Sequence, residues 1–217
     1  AMHSNDSFPV GKVDFMDLYP LSFSEFLEAV GQEAFARLLA KKDWGLIAAF
    51  RSKLIDLLKQ YYYVGGMPEV VNAFINHKDY AEVRQLQQTI LDSYDRDFSK
   101  HAPIAEVPRI RMIWRSVPAQ LAKENKKFIY GLVREGGRAR DFEEAIEWLV
   151  SAGMLNRVCN VSKMEHPLSA FDKPDQFKLF VFDTGLLKHM AGVDNAAILL
   201  KADYQFKGPL TENYVLQ

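Results

Sequence analysis

The fold class of this chain is decided by residues 107–161, VPRIRMIWRSVPAQLAKENKKFIYGLVREGGRARDFEEAIEWLVSAGMLNRVCNV. Apolar residues recur there at helical spacing in successive segments, and the final run LNRVCNV is typical of a strand. A second strand-like run, FKLFVF at 177–182, follows a link that contains two prolines. Three short helices followed by a hairpin are the order of elements in a winged helix. We therefore predict a mainly α fold with a small β component, in which a helical layer precedes a winged-helix domain.

The preceding hundred residues predict the helical layer. Ser22 and Glu25 have the spacing of a capping box at the start of a first helix. Residues 45–63 predict a second helix, with one apolar face made of Leu46, Ile47, Phe50, Leu54, Leu57 and Leu58. Gly65 and Gly66 end that helix, and Pro68 suits the first turn of a third. A fourth helix is predicted over 80–98, before the break at His101-Ala102-Pro103.

Basic residues concentrate in the first part of the deciding stretch. Residues 107–140 contain nine Lys or Arg against two Glu, although the whole chain has a net charge of −1. Such asymmetry is typical of a surface that meets phosphate or an acidic partner. The candidate nucleic-acid contacts are Lys123, Lys126, Lys127, Arg134, Arg138 and Arg140.

Two interpretations of this basic stretch stay open. In one, these residues contact a DNA backbone without reading its sequence. In the other, the domain packs against an acidic face of a protein neighbour. The predicted third helix, over 139–152, favours the second, because its four acids would repel a duplex: Asp141, Glu143, Glu144 and Glu147.

No complete catalytic or metal-binding constellation accompanies these elements. The chain has no GxxxxGK[ST] phosphate loop and no GxSxG nucleophile motif. Asp97 and His101 alone have the spacing of two ligands on one helical face, and the interleaved Arg96 and Lys100 would neutralise such a site. Cys159, the single cysteine, is expected as a small residue on a strand, which fits a reducing cytosol. Since no apolar run approaches the roughly 20 residues of a membrane span, we predict a cytoplasmic chain without a membrane partner.

Seven motifs in one order resemble a known family. They are FPVGKVDFMDLYPLSFSEFL at 8–27, YYYVGGMPEVV at 61–71, DSYDRDFSKHA at 92–102, IWRSVPAQLAKENKKFIYG at 113–131, ARDFEEAIEWLVSAGMLNRV at 139–158, FKLFVFDTGLL at 177–187 and KGPLTENYVLQ at 207–217. In this order they resemble prokaryotic predicted ATP-binding proteins, in which an AAA-superfamily ATPase core precedes a C-terminal domain of unknown function.

The resemblance implies four regions and a division of labour. Residues 1–27 resemble the tail of an ATPase core or a linker, 28–103 the helical layer, 104–185 the winged helix, and 186–217 the start of a truncated nuclease-like α/β part. ATP and magnesium are implied for the parent protein, whereas this fragment is expected to be non-catalytic and to need no cofactor and no metal. Glu212 is the one acid that matches the first helix of the nuclease-like part. The implied partner is the ATPase core or another subunit, with DNA as the alternative.

Overall fold

A computed structural model describes residues 16–123, 127–193, 198 and 206–217. This part is mainly helical with one two-stranded antiparallel sheet, which confirms the predicted fold class. No described helix is both long enough and apolar enough to cross a bilayer. The helices are α1 (Phe23–Ala29), α2 (Glu33–Lys41), α3 (Trp44–Ala49), α4 (Arg51–Val64), α5 (Pro68–His77), α6 (Tyr80–His101), α7 (Val107–Ala122), α8 (Tyr130–Val133), α9 (Glu143–Ser151), α10 (Thr184–Met190) and α11 (Lys207–Leu216).

The helical layer follows its sequence signals with one difference. Ser22 and Glu25 form the predicted capping box at α1, and Gly65 ends α4 with a positive φ of 79°. The predicted helix over 45–63 is instead two helices, because the backbone of Phe50 leaves the helical region between α3 and α4. The predicted apolar face is therefore not one continuous stripe.

The first helix of the deciding stretch is longer than predicted. We expected a helix that ended near Ser116 and a second that opened at Pro118, but α7 runs unbroken to Ala122. Pro118 cannot donate a helical hydrogen bond, which normally disfavours a helix interior. Its burial together with Val117 and Leu121 shows that packing overrides this local preference here.

The hairpin consists of β1 (Leu155–Val161) and β2 (Asp172–Val181), paired from Leu155 opposite Val181 to Val161 opposite Asp172. Strand β2 begins five residues earlier than the run FKLFVF predicted. Cys159 pairs with Phe177 but Asn160 pairs with Lys173, so the additional residues between these pairs form a bulge in β2. The predicted third helix is a 3-10 turn, Ala139–Asp141, followed by α9.

One cluster of buried side chains extends from α1 to α11, and it includes residues on both sides of the break near Pro103. Trp114 of α7 and Phe142 beside α9 belong to it. A second, small cluster of Leu27, Ala36 and Leu57 holds α2 and α4 against α1. The division into four regions and the winged-helix assignment stay predictions.

Candidate functional site

The first arginines of the predicted basic stretch are neutralised by neighbouring acids. Arg111 and Arg115 of α7 both contact the Asp95 carboxylate of α6, with nitrogen–oxygen distances of 3.1 and 3.3 Å. Arg109 forms an ion pair with Glu106, which precedes α7. These pairs join α6 to α7 and stabilise the start of α7, so most of their charge is used within the fold.

Three predicted DNA contacts converge on a single acid. The guanidinium groups of Arg134 and Arg140 lie 3.7 and 4.0 Å from the Asp141 carboxylate, which also accepts the backbone N–H of Arg138 at 3.0 Å. Arg134 additionally lies over the Phe142 ring, 5.4 Å from its centroid. All three arginine side chains are exposed. Exposed ion pairs contribute little free energy, so Asp141 lowers the positive potential here without abolishing it.

The predicted lysines lie at the end of α7 and just after it. Lys123 and Lys127 are exposed, and neither has an ion-pair partner within the described part of the chain. Lys126 lies outside the described residues. The structure therefore brings the three arginines together around Asp141, but it does not bring Lys123 and Lys127 to this acid.

The acids of α9 point to the hairpin. Arg157 of β1 contacts Glu147 at 2.6 Å and Glu143 at 3.7 Å, and its guanidinium lies 4.0 Å from the centroid of the Phe177 ring. Glu144 is exposed. Two of the four acids of the predicted third helix thus stabilise the packing of α9 on β1.

Glu212, the predicted nuclease-like acid, lies on α11 beside the hairpin. Its carboxylate contacts the Lys178 ammonium of β2 at 2.8 Å. The pair borders a groove of about 940 Å³ between α11 and the outer face of the hairpin, lined mostly by apolar side chains such as Val158, Phe180 and Val215. The ion pair fixes α11 to β2, and this structural role accounts for Glu212 without a catalytic one.

A surface that the sequence did not single out lies on α3. No residue of this helix is buried, although its sequence is WGLIAA. Trp44, Leu46 and Phe50 are 71%, 48% and 47% exposed, and Ile55 of α4 is 41% exposed. We call Trp44, Leu46, Phe50 and Ile55 the α3 face. Large apolar residues that are exposed so close together in the chain are more typical of a protein interaction site than isolated exposed residues are.

Local features fix the position of α3. The left-handed backbone of Lys42, with φ of 55°, ends α2, and the Asp43 carboxylate caps α3 by accepting the N–H of Leu46 at 3.1 Å. From the other end, the ring of Phe50 packs edge-on against Phe35 of α2, with centroids 5.6 Å apart. These contacts hold α3 in place, while its apolar side chains stay half exposed or more.

Basic residues predominate in the sequence on both sides of α3. Residues 37–59 contain two acids, Asp43 and Asp56. They also contain six basic residues: Arg37, Lys41, Lys42, Arg51, Lys53 and Lys59. Within the described ranges, none of these eight residues takes part in an ion pair. An apolar centre with a cationic rim is complementary to an apolar surface edged by carboxylates.

Beneath these surfaces lies a buried polar centre where α4, α10 and α11 meet. The Asp183 carboxylate accepts the N–H of Gly66 at 2.6 Å and of Leu186 at 2.7 Å, so it joins the end of α4 to the start of α10. Burial raises the pKa of Asp183, and the backbone hydrogen bonds oppose that rise. Gln217 of the C-terminal residues accepts from Thr184 and donates to Tyr61. An Asp immediately before an apolar helical run is a capping signal that could have identified this centre from sequence.

One family of known proteins matches most of this chain. The family described as Domain of unknown function (DUF8612) matches residues 55–197, which is more than half of the chain. The chain belongs to this family. No curated protein and no solved structure matches.

The DUF8612 region contains α5 to α10, the hairpin and the last ten of the 14 residues of α4. The arginines around Asp141 lie inside the matched region, whereas α3 comes directly before it. Within the described residues, no group of three or more His, Cys, Asp or Glu side chains could hold a metal ion. The family match therefore identifies the domain but not its function.

Proposed function

We propose that this chain is a non-catalytic interaction and relay module that docks on an acidic, partly apolar protein surface through the α3 face. The observation that carries the proposal is that α3 is apolar and yet has no buried residue. An apolar helix of a globular domain is normally packed against its core. A partner that covers Trp44, Leu46 and Phe50 would remove this surface from water.

The residue types of the α3 face support a protein partner. Exposed Trp44 is the kind of rigid aromatic residue that dominates binding energy at interfaces. Burying a large apolar side chain that is exposed in the free chain contributes on the order of 1.5–3 kcal/mol. Leu46 and Phe50 are about half exposed, so each adds less than a fully exposed side chain would.

The charge around the face specifies the partner. Six basic residues against two acids, none of them ion-paired with another described residue, favour a partner surface that carries carboxylates. The resemblance to predicted ATP-binding proteins suggests the occupant, an acidic face of an AAA-superfamily ATPase core. The α3 face lies at 44–55, between the segment that resembles the tail of that core and the DUF8612 region, which suits a contact with a neighbouring domain.

The relay part of the proposal follows from α4. This helix begins beside the α3 face and ends at Gly65, next to the buried Asp183 centre. Its 14 residues span about 21 Å at 1.5 Å per residue. If docking displaced α3, helix α4 would transmit the displacement to its contact with α10. That contact is polar and closely packed.

DNA-backbone contact through the basic stretch stays the alternative, and Lys123 and Lys127 favour it because both are exposed and neither pairs with an acid among the described residues. The ion pairs of Arg109, Arg111 and Arg115 count against it, because these three cations of the stretch contact acids within the fold. A nuclease-like activity has weaker support, since Glu212 is paired with Lys178.

The test measures binding of the chain to the purified ATPase core by fluorescence anisotropy. Trp44→Ala and Phe50→Ala should each weaken binding about tenfold or more, as expected for residues at the centre of an interface. Lys41→Gln with Lys42→Gln should lower the association rate and its salt dependence. Met164→Ala is the matched control, because Met164 is 94% exposed on the hairpin link, away from α3. Equal affinity of the Trp44→Ala variant and the original chain would contradict the proposal.

A further inference from the structure

The outer edge of β1 offers unpaired backbone groups to a further strand. Alternate residues of a strand direct their N–H and C=O groups to opposite sides. The Phe182 N–H donates to the Met154 carbonyl at 3.4 Å, so the even-numbered residues of β1 bond to β2 and the odd-numbered ones face away from it. Among the described residues, none forms a hydrogen bond with the outward backbone groups of Arg157, Cys159 and Val161.

The edge of β2, in contrast, is covered. The Phe177 carbonyl accepts the N–H of Phe128 at 2.6 Å, and the Val181 N–H donates to the side-chain oxygen of Asn213 at 2.9 Å. Free edges are normally protected by proline, by unpaired charges or by bulges. Strand β1 contains no proline, its one charge, Arg157, forms ion pairs with two acids of α9, and the bulge of the hairpin lies in β2. This strand is therefore an unprotected edge of seven residues.

The side chains on the outer face of β1 are symmetric about Val158. Successive side chains of a strand alternate between its two faces, so Asn156, Val158 and Asn160 share one face. Both asparagines are exposed, and Val158 is 40% exposed. If Val158 lies opposite Val158 of a second, antiparallel copy, each Asn156 lies opposite Asn160 of the other copy. An apolar side chain then meets an apolar one and an amide meets an amide, and such cross-strand pairs stabilise a sheet.

We propose that β1 pairs in antiparallel orientation with β1 of a second copy of this chain, with Val158 at the twofold axis. The two hairpins then form one four-stranded sheet. Beside the axis, Arg157 of each copy lies opposite Cys159 of the other, and each of these pairs exchanges two backbone hydrogen bonds. A register centred on Arg157 would instead bring two guanidinium groups opposite each other. A register centred on Cys159 would place Val158 opposite the amide of Asn160.

Charge complementarity supports the register centred on Val158. It places Lys163 of one copy opposite Gly153 of the other, at the C-terminal end of α9. The last turn of α9 contains no basic residue, and the partial negative charge of a helix C-terminus attracts a cation. The Lys163 ammonium can respond to this charge, because its ion pair with Glu165 is exposed and 4.0 Å long.

The groove beside α11 lies on the same outer face of the hairpin. Val158, Asn160 and Phe180 line it from the strands, and Val215 of α11, which is 78% exposed, lines it from the helix. The isologous contact of a twofold dimer leaves the outer faces of both copies on one side of the joined sheet. The pairing would therefore cover the exposed Val158 and bring the two grooves to the same side.

Sedimentation velocity over a series of concentrations tests the dimer. The chain should dimerise reversibly, and Val158→Glu should weaken dimerisation at least about tenfold, because it places two carboxylates opposite each other at the axis. The single chain should tolerate this variant, since the cross-strand neighbour of Val158 is Lys178. Met112→Glu is the matched control, because Met112 of α7 is also 40% exposed. A chain that stays monomeric, or a Val158→Glu variant that dimerises as tightly as Met112→Glu, overturns the proposal.

Disulfide formation tests the register. In a background with Cys159→Ser, Val158→Cys should form an intermolecular disulfide, because the Cα atoms of a non-hydrogen-bonded pair lie about 4.5 Å apart, within the roughly 4.4–6.8 Å that a disulfide spans. Asn156→Cys in the same background is the control. Its two copies are offset by four residues, about 13 Å at roughly 3.3 Å per residue, and should not be linked.

Non-reducing electrophoresis after mild oxidation gives the result. A linked dimer of the Val158→Cys variant alone supports the proposed pairing. Equal linking of the two variants, or no linking of Val158→Cys, contradicts it. The proposal uses no residue of the α3 face, so a dimer formed through that face would be insensitive to Val158→Glu, and the docking proposal is tested separately.

Discussion

Lys188 shows how a single buried group makes this fold sensitive to pH. Its side chain is 1% exposed, and burial lowers its pKa from 10.5 to about 7, with the Arg84 charge acting in the same direction and Asp183 opposing it. A lysine whose pKa is lower in the folded state binds fewer protons there than in the unfolded chain between these two values. The free energy of unfolding should therefore rise with pH from about 7 towards 10.

The variant Lys188→Met tests this linkage, because it keeps the length of the side chain and removes its titration. We expect the variant to be more stable than the original chain at pH 7 and to lose up to about 2 kcal/mol of that advantage by pH 9. Urea unfolding at the two pH values measures the difference. An advantage that stays constant, or grows, over this range would show that the amine titrates as it does in water.

Residue types alone could not separate the core from the interaction surface. Trp44 and Trp114 both occur in apolar helical patterns, yet Trp114 is 4% exposed and Trp44 is 71% exposed. The pattern gives the face of a helix on which an apolar residue lies, but not whether another element covers that face. The flanking basic residues of α3 were visible in the sequence, but they do not distinguish α3 from the core helix that carries Trp114. Those around Trp114 are equally basic but pair with Asp95 and Glu106, which only the structure reveals.

At the scale of elements, the joint between α4 and α10 depends on two glycines in contact. A Cβ atom added to Gly185 would lie 2.6 Å from the Gly65 Cα and 2.7 Å from the Val64 carbonyl oxygen. Both obstacles are backbone, so they cannot move without separating the two helices. This close approach lets the Asp183 carboxylate reach the Gly66 N–H.

Gly185→Ala should therefore destabilise the chain by about 3 kcal/mol or more, through overpacking and loss of buried hydrogen bonds. Gly131→Ala is the matched control, since a Cβ there meets nothing within 4 Å, and we expect it to be neutral or to stabilise the chain by up to about 1 kcal/mol. Thermal unfolding followed by circular dichroism measures both. If Gly185→Ala melted at the same temperature as Gly131→Ala, the joint would not have the packing described above.

The elements whose sequence signals are local were predicted correctly, and those decided by packing were not. The capping box at Ser22 and the stop at Gly65 need only neighbouring residues, and both are present. Pro118 inside α7 and the early start of β2 at Asp172 depend on distant partners. For the same reason, the grouping of Arg134, Arg138 and Arg140 followed from their proximity in sequence, but their convergence on Asp141 did not.

At the scale of the whole molecule, the question is which surface meets the partner. The chain has a net charge of −1, so it has no overall attraction to nucleic acid, and only local positive patches could bind it. The α3 face combines such a patch with exposed apolar side chains, which suits a protein. The Lys123 and Lys127 region is exposed and basic, and it suits a phosphate backbone.

Salt-dependent binding of a 20-base-pair duplex distinguishes the two surfaces. Each phosphate contact contributes roughly one unit to the slope of log K against log salt. If the basic stretch binds DNA, Lys123→Ala with Lys127→Ala should flatten this slope by about two units, whereas Lys41→Ala with Lys42→Ala should leave it unchanged. The proposed function predicts a different result. Neither pair of substitutions should alter duplex binding, and only the pair at Lys41 and Lys42 should change the salt dependence of binding to the ATPase core. If the substitutions at Lys123 and Lys127 change the slope, the partner binds at the end of α7 and not at α3.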